Sequence, residues 1–428
     1  MKLTAVLLLC LFGVAICDNW AILVAGSNTW SNYRHQSDVF HAYQILKKNG
    51  FAPERIITFA YDDIADNIKN PFKGKVFNKP TNANPGIDVY AGVVIDYKGA
   101  SVDPAVFLSV LEGNKTAVAG KGSGKVLEST KDDNVFLFFS DHGAPGLIAF
   151  PSKYLYAKDL IPSFAKINGK YNKFVFYLEA CESGSMFTSL PNNTKIYALS
   201  AANPSESSWA TYCSPQDIVQ GKHIGSCLGD LFSVNFLENT EESDIFSMTL
   251  NQQFNIIKQK TTQSHVLQWG DMSFSNDKVS EYLAYKKTFN FKFGIPKISQ
   301  LRRNDRIESS RVNFDSRTVK MHTLLEVYAR EQTAESLMEF TAEVKSMKEY
   351  DRIFEKFESF FEKGVFTQKY DAKNINFDCL KESIDTFEGK HGRLSDYGLK
   401  YIAHFARACE VDTTESIKEK IHAAIMLQ

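Results

Sequence analysis

The chain has no surplus of either charge. Its 428 residues carry 49 Lys and Arg against 50 Asp and Glu, a net charge of −1. That balance excludes the basic surface a nucleic-acid partner requires. Beyond the first residues no apolar run is long enough to span a bilayer, so no membrane span is expected. There is no internal repeat and no low-complexity tract. No two histidines stand at ligand spacing beside acids, so neither a metal nor any other cofactor is expected. The run Gly120-Lys121-Gly122-Ser123-Gly124-Lys125 resembles a phosphate loop only at a glance. Ala119 stands where the first glycine belongs and Val126 where a Ser or Thr would hold magnesium, so it reads as a flexible surface loop.

Cysteine is scarce, with seven in all. Cys10 and Cys17 fall in an N-terminal stretch that begins Met1-Lys2 and runs apolar from Leu3 to Ile16. A basic start, a short apolar core and small residues describe a signal peptide over 1–17, hence entry to the secretory route. Asn114-Lys115-Thr116 and Asn192-Asn193-Thr194 are then acceptor sequons, with Asn114 and Asn192 as glycosylation sites. Five cysteines remain, an odd number, so at least one is unpaired within the chain. Pairing Cys213 with Cys227 and Cys379 with Cys409 would leave Cys181 free; the plainer alternatives are a buried inert thiol or an intermolecular bridge.

What is present supports two domains. Hydrophobic residues make up 44%, enough for real cores. Through residue 290 strand-like and helix-like segments alternate. Ala21–Ala25, Arg55–Tyr61, Val135–Phe139, Phe174–Leu178 and Ile196–Ala201 read as strands, and His41–Lys48 as a helix stopped at Asn49-Gly50. Apolar strands alternating with helices predict an α/β layer fold with a mostly parallel sheet. Residues 291–330 are polar and charge-mixed and read as an exposed linker. Residues 331–428 read as all-helical, with Leu337, Phe340, Val344 and Met347 and then Ile353, Phe354, Phe357, Phe360 and Phe361 as core stripes. That region holds 14 Lys and Arg against 19 Asp and Glu, a net −5; the remainder holds 35 against 31, a net +4. Opposite signs on one chain predict that the two parts dock.

Two strand-like runs end alike, one in Ser140-Asp141-His142-Gly143 and the other in Glu179-Ala180-Cys181-Glu182-Ser183-Gly184. Sites in open α/β sheets form at the carboxyl ends of strands, so a histidine and a cysteine reach the same rim. An imidazole within reach turns a thiol into a nucleophile, and the neighbouring glycines leave N–H groups free for an oxyanion.

These two motifs resemble those of the legumain family, the asparaginyl endopeptidases or vacuolar processing enzymes of peptidase family C13. Val24–Asn28, Tyr33–Gln36, Tyr61–Ala65, Gly122–Leu127, Ala201–Pro204, Glu206–Ser208, Leu228–Asp230 and Ser264–Val266 match in the family's order, across roughly 19 to 270. The C-terminal part resembles the family's prodomain more loosely. The resemblance implies a caspase-like α/β fold over 18–290, a six-stranded, mostly parallel sheet between helices, followed by an all-α prodomain. It implies a cysteine endopeptidase cutting after Asn and, at lower pH, after Asp, made as a zymogen for an acidic lysosome- or vacuole-like compartment or for secretion. Cys181 matches the nucleophile, His142 its base and Asn32 the residue that orients the histidine. Gly143, with the Cys181 amide, matches the oxyanion site. Arg34, Glu179 and Asp230 match the pocket for the Asn side chain, with His35, Ser207 and Trp209 nearby. Arg34 would donate to the amide oxygen, and the two acids would accept from its nitrogen.

Protein and peptide substrates with Asn at the cleaved position, the chain's own prodomain as inhibitor, and cystatin-type inhibitors are the implied partners. Asn304 and Asn313 are the candidate self-processing sites. Cys213 to Cys227 encloses an insertion like that of the plant enzymes. Gly143-Ala144-Pro145 resembles members that favour ligation, and Glu112-Gly113-Asn114 replaces the Arg-Gly-Asp of some animal relatives. Two other readings are a GPI-transamidase subunit, which normally carries a membrane anchor after its catalytic domain, and a non-catalytic binding relative, against which the intact motif residues speak. The acidic tail predicts a latch whose carboxylates lose charge as pH falls.

Overall fold

The computed structural model describes residues 19–81, 86–285 and 311–427. The expected signal peptide, Asn304 and residues 291–310 of the expected linker lie outside the described residues. Six strands form the central sheet: β1 (Trp20–Ala25), β2 (Ile56–Phe59), β3 (Asn134–Ser140), β4 (Lys173–Glu179), β5 (Ile196–Ser200) and β8 (Leu267–Gly270). Their order is β8-β5-β4-β3-β1-β2, and every pair is parallel except β8 with β5. The sheet is covered on both faces, which is why the middles of its central strands are apolar on both sides. Phe136 and Phe138 of β3 pack to one side with Phe40 and Tyr43 of helix α1 (Tyr33–Lys48). Leu137 and Phe139 pack to the other with Phe107 of α2 (Pro104–Leu111) and Phe164 of α3 (Ala157–Lys166). The first face is completed by α4 (Leu231–Glu242) and α5 (Leu250–Lys260).

Helix α1 begins eight residues before the sequence reading placed it. Its first turns, Tyr33 to Asp38, are buried on all sides. A segment enclosed all round shows no apolar stripe, so periodicity could not find it. The Gly120–Lys125 run is not loose. Lys125 Nζ donates to the Pro53 and Ile56 carbonyls at 3.1 and 2.9 Å, and Ser123 Oγ donates to Asp96 at 2.8 Å.

Among the described residues, β6 (Trp209–Thr211), β7 (Gly229–Asp230) and β9 (Phe314–Asp315) form a small antiparallel sheet in the order β7-β6-β9. β9 and the helix α6 (Val319–Glu331) fall inside the expected linker, so from residue 311 on that stretch is structured. Ser316, Arg317 and Val319 are buried because each has a partner on the catalytic part, apolar in the case of Val319. α6 turns back into α7 (Ala334–Glu358) at Gln332, a left-handed residue, and three further helices follow: α8 (Phe377–His391), α9 (Ile402–Val411) and α10 (Thr414–Met426). Their core is aromatic, with Phe354 stacked on Tyr401 at 4.0 Å between ring centres. Of the two predicted stripes only the second is core. Ile353, Phe354 and Phe357 are buried, whereas Leu337 is 39% exposed and its stripe forms a half-exposed face of the α6–α7 hairpin. Cys379–Cys409 joins α8 to α9, Cys213–Cys227 spans the loop after β6, and Cys181 is free and buried.

Candidate active site

Strand register delivers the two reactive groups to one level. Ser140 of β3 pairs with Glu179 of β4, and His142 and Cys181 each lie two residues beyond that pair. The chain then turns sharply. Glu182 adopts a left-handed conformation (φ 46°), a strained position for a residue with a side chain. A Cβ on Gly143 would come within 2.3 Å of the Cys181 carbonyl oxygen, so the His142 loop can lie against the Cys181 backbone only with glycine there.

His142 is buried. Its Nε2 lies 2.9 Å from Asn32 Oδ1, and its Nδ1 has no hydrogen-bond partner. Asn32 is fixed in that orientation because its Nδ2 donates to the Asn28 carbonyl at 3.3 Å while Arg34 Nη1 donates to its Oδ1 at 3.3 Å. Nε2 therefore carries the proton and Nδ1 is a bare acceptor. Cys181 Sγ accepts from the Ser208 amide at 3.3 Å, with Ser208 Oγ at 3.7 Å. Burial pushes the thiol up to about 11, with nearby Arg317 lowering it and Glu182 raising it, so it rests protonated. Among the described residues no hydrogen bond joins Cys181 to His142.

A cluster of buried charged side chains lies beside them. Arg34 Nε donates to Asp230 Oδ1 at 2.8 Å. Ser233 holds Glu179 Oε2 with its amide at 3.0 Å and its hydroxyl at 2.9 Å. Three atoms are left without a hydrogen-bond partner: Arg34 Nη2, Glu179 Oε1 and Asp230 Oδ2. His35 forms part of the wall, with Nδ1 at 2.7 Å from Ser27 Oγ and Nε2 at 3.5 Å from Asp230 Oδ2. Burial, then the Arg34 charge, lower its basicity well below the usual range, so its imidazole is neutral. Trp209 lies on β6 and Ser207 two residues before it, both half-buried.

The C-terminal part covers this centre. Asp396 reaches His142 Nε2 at 3.4 Å and accepts from Asn32 Nδ2 at 3.2 Å. Burial would raise this carboxyl, but His142, Arg34 and Asn32 together hold it well below the usual carboxylate range. Ser316 donates its amide to the Ser208 carbonyl at 3.1 Å, and Arg317 pairs with Glu182 and donates to the Gly143 carbonyl at 3.3 Å. Asn313, a candidate processing residue, is not delivered to Cys181. It stands three residues before Ser316 and lines a separate cavity with Leu231 and Asn235. Asn114 and Asn192 are exposed.

Sequence spacing pointed to no metal, yet the fold brings His35, Asp141 and His142 together, with ligand atoms within 4.8 Å of one another. The trio belongs to the site already described. Sequence reasoning missed Ser27, Ser208, Ser233, Arg317 and Asp396. The first two stand in matched motifs and were legible there; the others gave no signal, because only tertiary contact gives them a role.

A model of the Peptidase C13 family matches residues 19–286, and one of the legumain prodomain matches 362–426. The chain belongs to the peptidase C13 family, as a cysteine endopeptidase of the legumain type with a C-terminal prodomain. It is 36% identical to vacuolar-processing enzyme beta-isozyme 1 of Oryza sativa subsp. japonica, over 93% of this chain and 82% of that one. It is 45% identical to legumain of Mus musculus over 66% of this chain and 63% of that one, and 44% identical to hemoglobinase of Schistosoma japonicum over 71% and 67%. Among solved structures, caspase-1 from Spodoptera frugiperda aligns at 10% identity and a TM-score of 0.34, over 60% of this chain and 87% of that one. Among the described residues no helix is long and apolar enough to cross a membrane.

Proposed function

We propose that the protein hydrolyses peptide bonds on the carboxyl side of asparagine, with Cys181 as nucleophile and His142 as base, and that its C-terminal region holds it latent until it reaches an acidic compartment. The observation that carries the specificity is the set of three unpartnered pocket atoms, one donor and two acceptors. A carboxamide offers the complement, one acceptor and two donors. A side chain without those groups would leave buried charge unpaired, which such sites penalise heavily.

The chemistry follows from His142. Its bare Nδ1 takes the thiol proton as Sγ bonds to the scissile carbonyl. The Gly143 and Cys181 amides receive the oxyanion. His142 returns the proton to the leaving amine as the C–N bond breaks, and water then hydrolyses the thioester. Ligation is the same thioester intercepted by an amine. Asn32 keeps Nδ1 as the accepting nitrogen throughout.

Latency draws support from the cover. Asp396 engages His142 and Asn32, and β9 with Ser316 and Arg317 lies along the rim where a substrate chain would run. Because Ser316 and not Asn313 sits at Ser208, the covering segment blocks without being cut, and processing requires it to leave.

The test is turnover of a peptide with one internal Asn, after acid incubation, by the wild type and by Cys181→Ala. Cleavage after Asn, lost in the variant, is the expected result. A rejoined peptide near neutral pH would move the reading to ligation. No turnover with the cover proven removed would overturn it.

A further inference from the structure

A third acid stands behind the specificity pocket. Asp38 lies one turn beyond Arg34 on α1 and is fully buried. One of its oxygens accepts from the Asp230 amide at 3.1 Å and the other from Asn78 Nδ2 at 2.7 Å. Asn78 is fixed in that orientation, because its Nδ2 also donates to the Leu228 carbonyl at 2.9 Å and its Oδ1 lies 2.8 Å from His41 Nδ1. Both Asp38 oxygens are thus held by groups that only donate, an arrangement suited to a carboxylate. A Cβ on Gly229 would come within 2.8 Å of Asp38 Oδ1, so the acid is pressed against β7.

The charges do not balance. Asp38, Glu179 and Asp230 are all buried, and the cation among them is Arg34. Fully ionised, the cluster would hold two uncompensated negative charges, which burial strongly disfavours. Three acids so placed share protons instead of titrating singly. Burial and then the Asp230 charge raise both Asp38 and Glu179 well above the usual carboxylate range, so the cluster keeps shared protons. Both Asp38 oxygens already face donors, whereas Glu179 Oε1 and Asp230 Oδ2 have no partner, so the shared protons sit on those two and the charge stays at Asp38. The other titratable groups facing Asp38 lie beyond Asn78: His41, with Glu241 at 3.3 Å from its Nε2.

We infer that Asp38 is a specificity-determining residue that never touches the substrate: its charge behind Asp230 sets the pH at which the pocket begins to accept aspartate. The inference rests on the pocket reading above. An asparagine side chain brings two donors for Glu179 Oε1 and Asp230 Oδ2. An aspartate brings none, so one of those oxygens, or the substrate, must carry a proton. A negative charge at Asp38 makes the pocket acids hold that proton to higher pH. Without it they stay ionised further into acid, and aspartate is refused there.

The experiment compares Asp38→Asn with the wild type, both acid-matured from the full chain, by kcat/KM on a matched pair of Asn and Asp peptides between pH 4 and 7. The expected result is retained Asn cleavage, with the rise of the Asp-to-Asn ratio displaced by about one unit to lower pH. On the rising limb that is about a tenfold lower ratio at fixed pH. A purely structural role would lower both substrates together and leave the ratio curve in place, and superimposable curves overturn the inference alone. A wild type without Asn preference overturns the pocket reading and the inference with it. The new amide nitrogen of Asp38→Asn would face Asn78 Nδ2. Should that variant fail to fold, Asn78→Ser carries the test: it leaves Asp38 in place, removes the donor that keeps it charged, and is expected to move the ratio in the same direction.

Discussion

Gly143 has no room for a side chain, and this gives the sharpest expectation for a single residue. Gly143→Ala would drive a methyl group to 2.3 Å from the Cys181 carbonyl oxygen. The loop must shift, at a cost of about 1–3 kcal/mol in melting experiments. Because the displaced backbone carries the two amides proposed to receive the oxyanion, kcat/KM on an Asn peptide should fall by more than that stability loss explains. Asn32→Ala should lose about 10- to 100-fold in kcat, the worth of one hydrogen bond to a buried polar group, with KM little changed. At this scale much of the site was legible in sequence, since Cys181, His142, Arg34, Glu179 and Asp230 stand in recognisable short motifs. Asp38 was not, because one buried carboxylate inside a helix looks like any other until its partners are known.

Helices and strands carry the latch, and the pH signs of its groups differ. Asp396 is depressed while docked. Its contribution is present above its free value, about 3.9, and is lost only as pH falls through its depressed value. Glu182 is raised to about 7, burial being the largest cause, so its contribution to docking grows as pH falls. Neither of these two groups explains release in mild acid. His404 on α9 and His322 on α6 are lowered by burial. A lowered histidine stabilises the covered state above its free value of about 6.5, and that stability drains away as pH falls through the lowered value. His404→Phe, placed among Phe354, Phe366 and Tyr401, should therefore shift tail release to lower pH, followed by Cys181 alkylation across a pH series. Arg317→Ala should do the reverse. It removes the ion pair with buried Glu182 and the bond to the Gly143 carbonyl, and should make Cys181 of the uncut chain reactive at neutral pH. The five parallel strands were legible because each holds a short apolar run; β8 was not read, since Gln268 and Gly270 interrupt it. β9 was not, since a two-residue strand in polar sequence exists only because β6 offers it an edge.

At the scale of the whole molecule, the catalytic part and its cover share a boundary but, among the described residues, no disulfide joins them. Ala144, Leu147 and Tyr156 pack into the same cluster as Phe354 and Phe405, so the interface is partly core. Each disulfide lies within one part, Cys213–Cys227 in the first and Cys379–Cys409 in the second. Replacing Cys379 and Cys409 together by serine should lower the stability of the helical part by about 3–4 kcal/mol and leave the sheet's transition unmoved in a calorimetric scan. The opposite net charges of the two parts, readable from composition, foretold docking; where the tail would sit was not readable, because that depends on single contacts such as Asp396 with His142. Locality of the disulfides has a consequence in terms of concentration. While the backbone is whole, the cover is held at the high effective molarity of a tethered group. One cut anywhere between Tyr285 and Arg311 turns that intramolecular equilibrium into a bimolecular one. From then on the same contacts hold only as well as the protein is concentrated. Crowded in a small vesicle the severed cover would stay seated; diluted, it would leave with no further change in its structure.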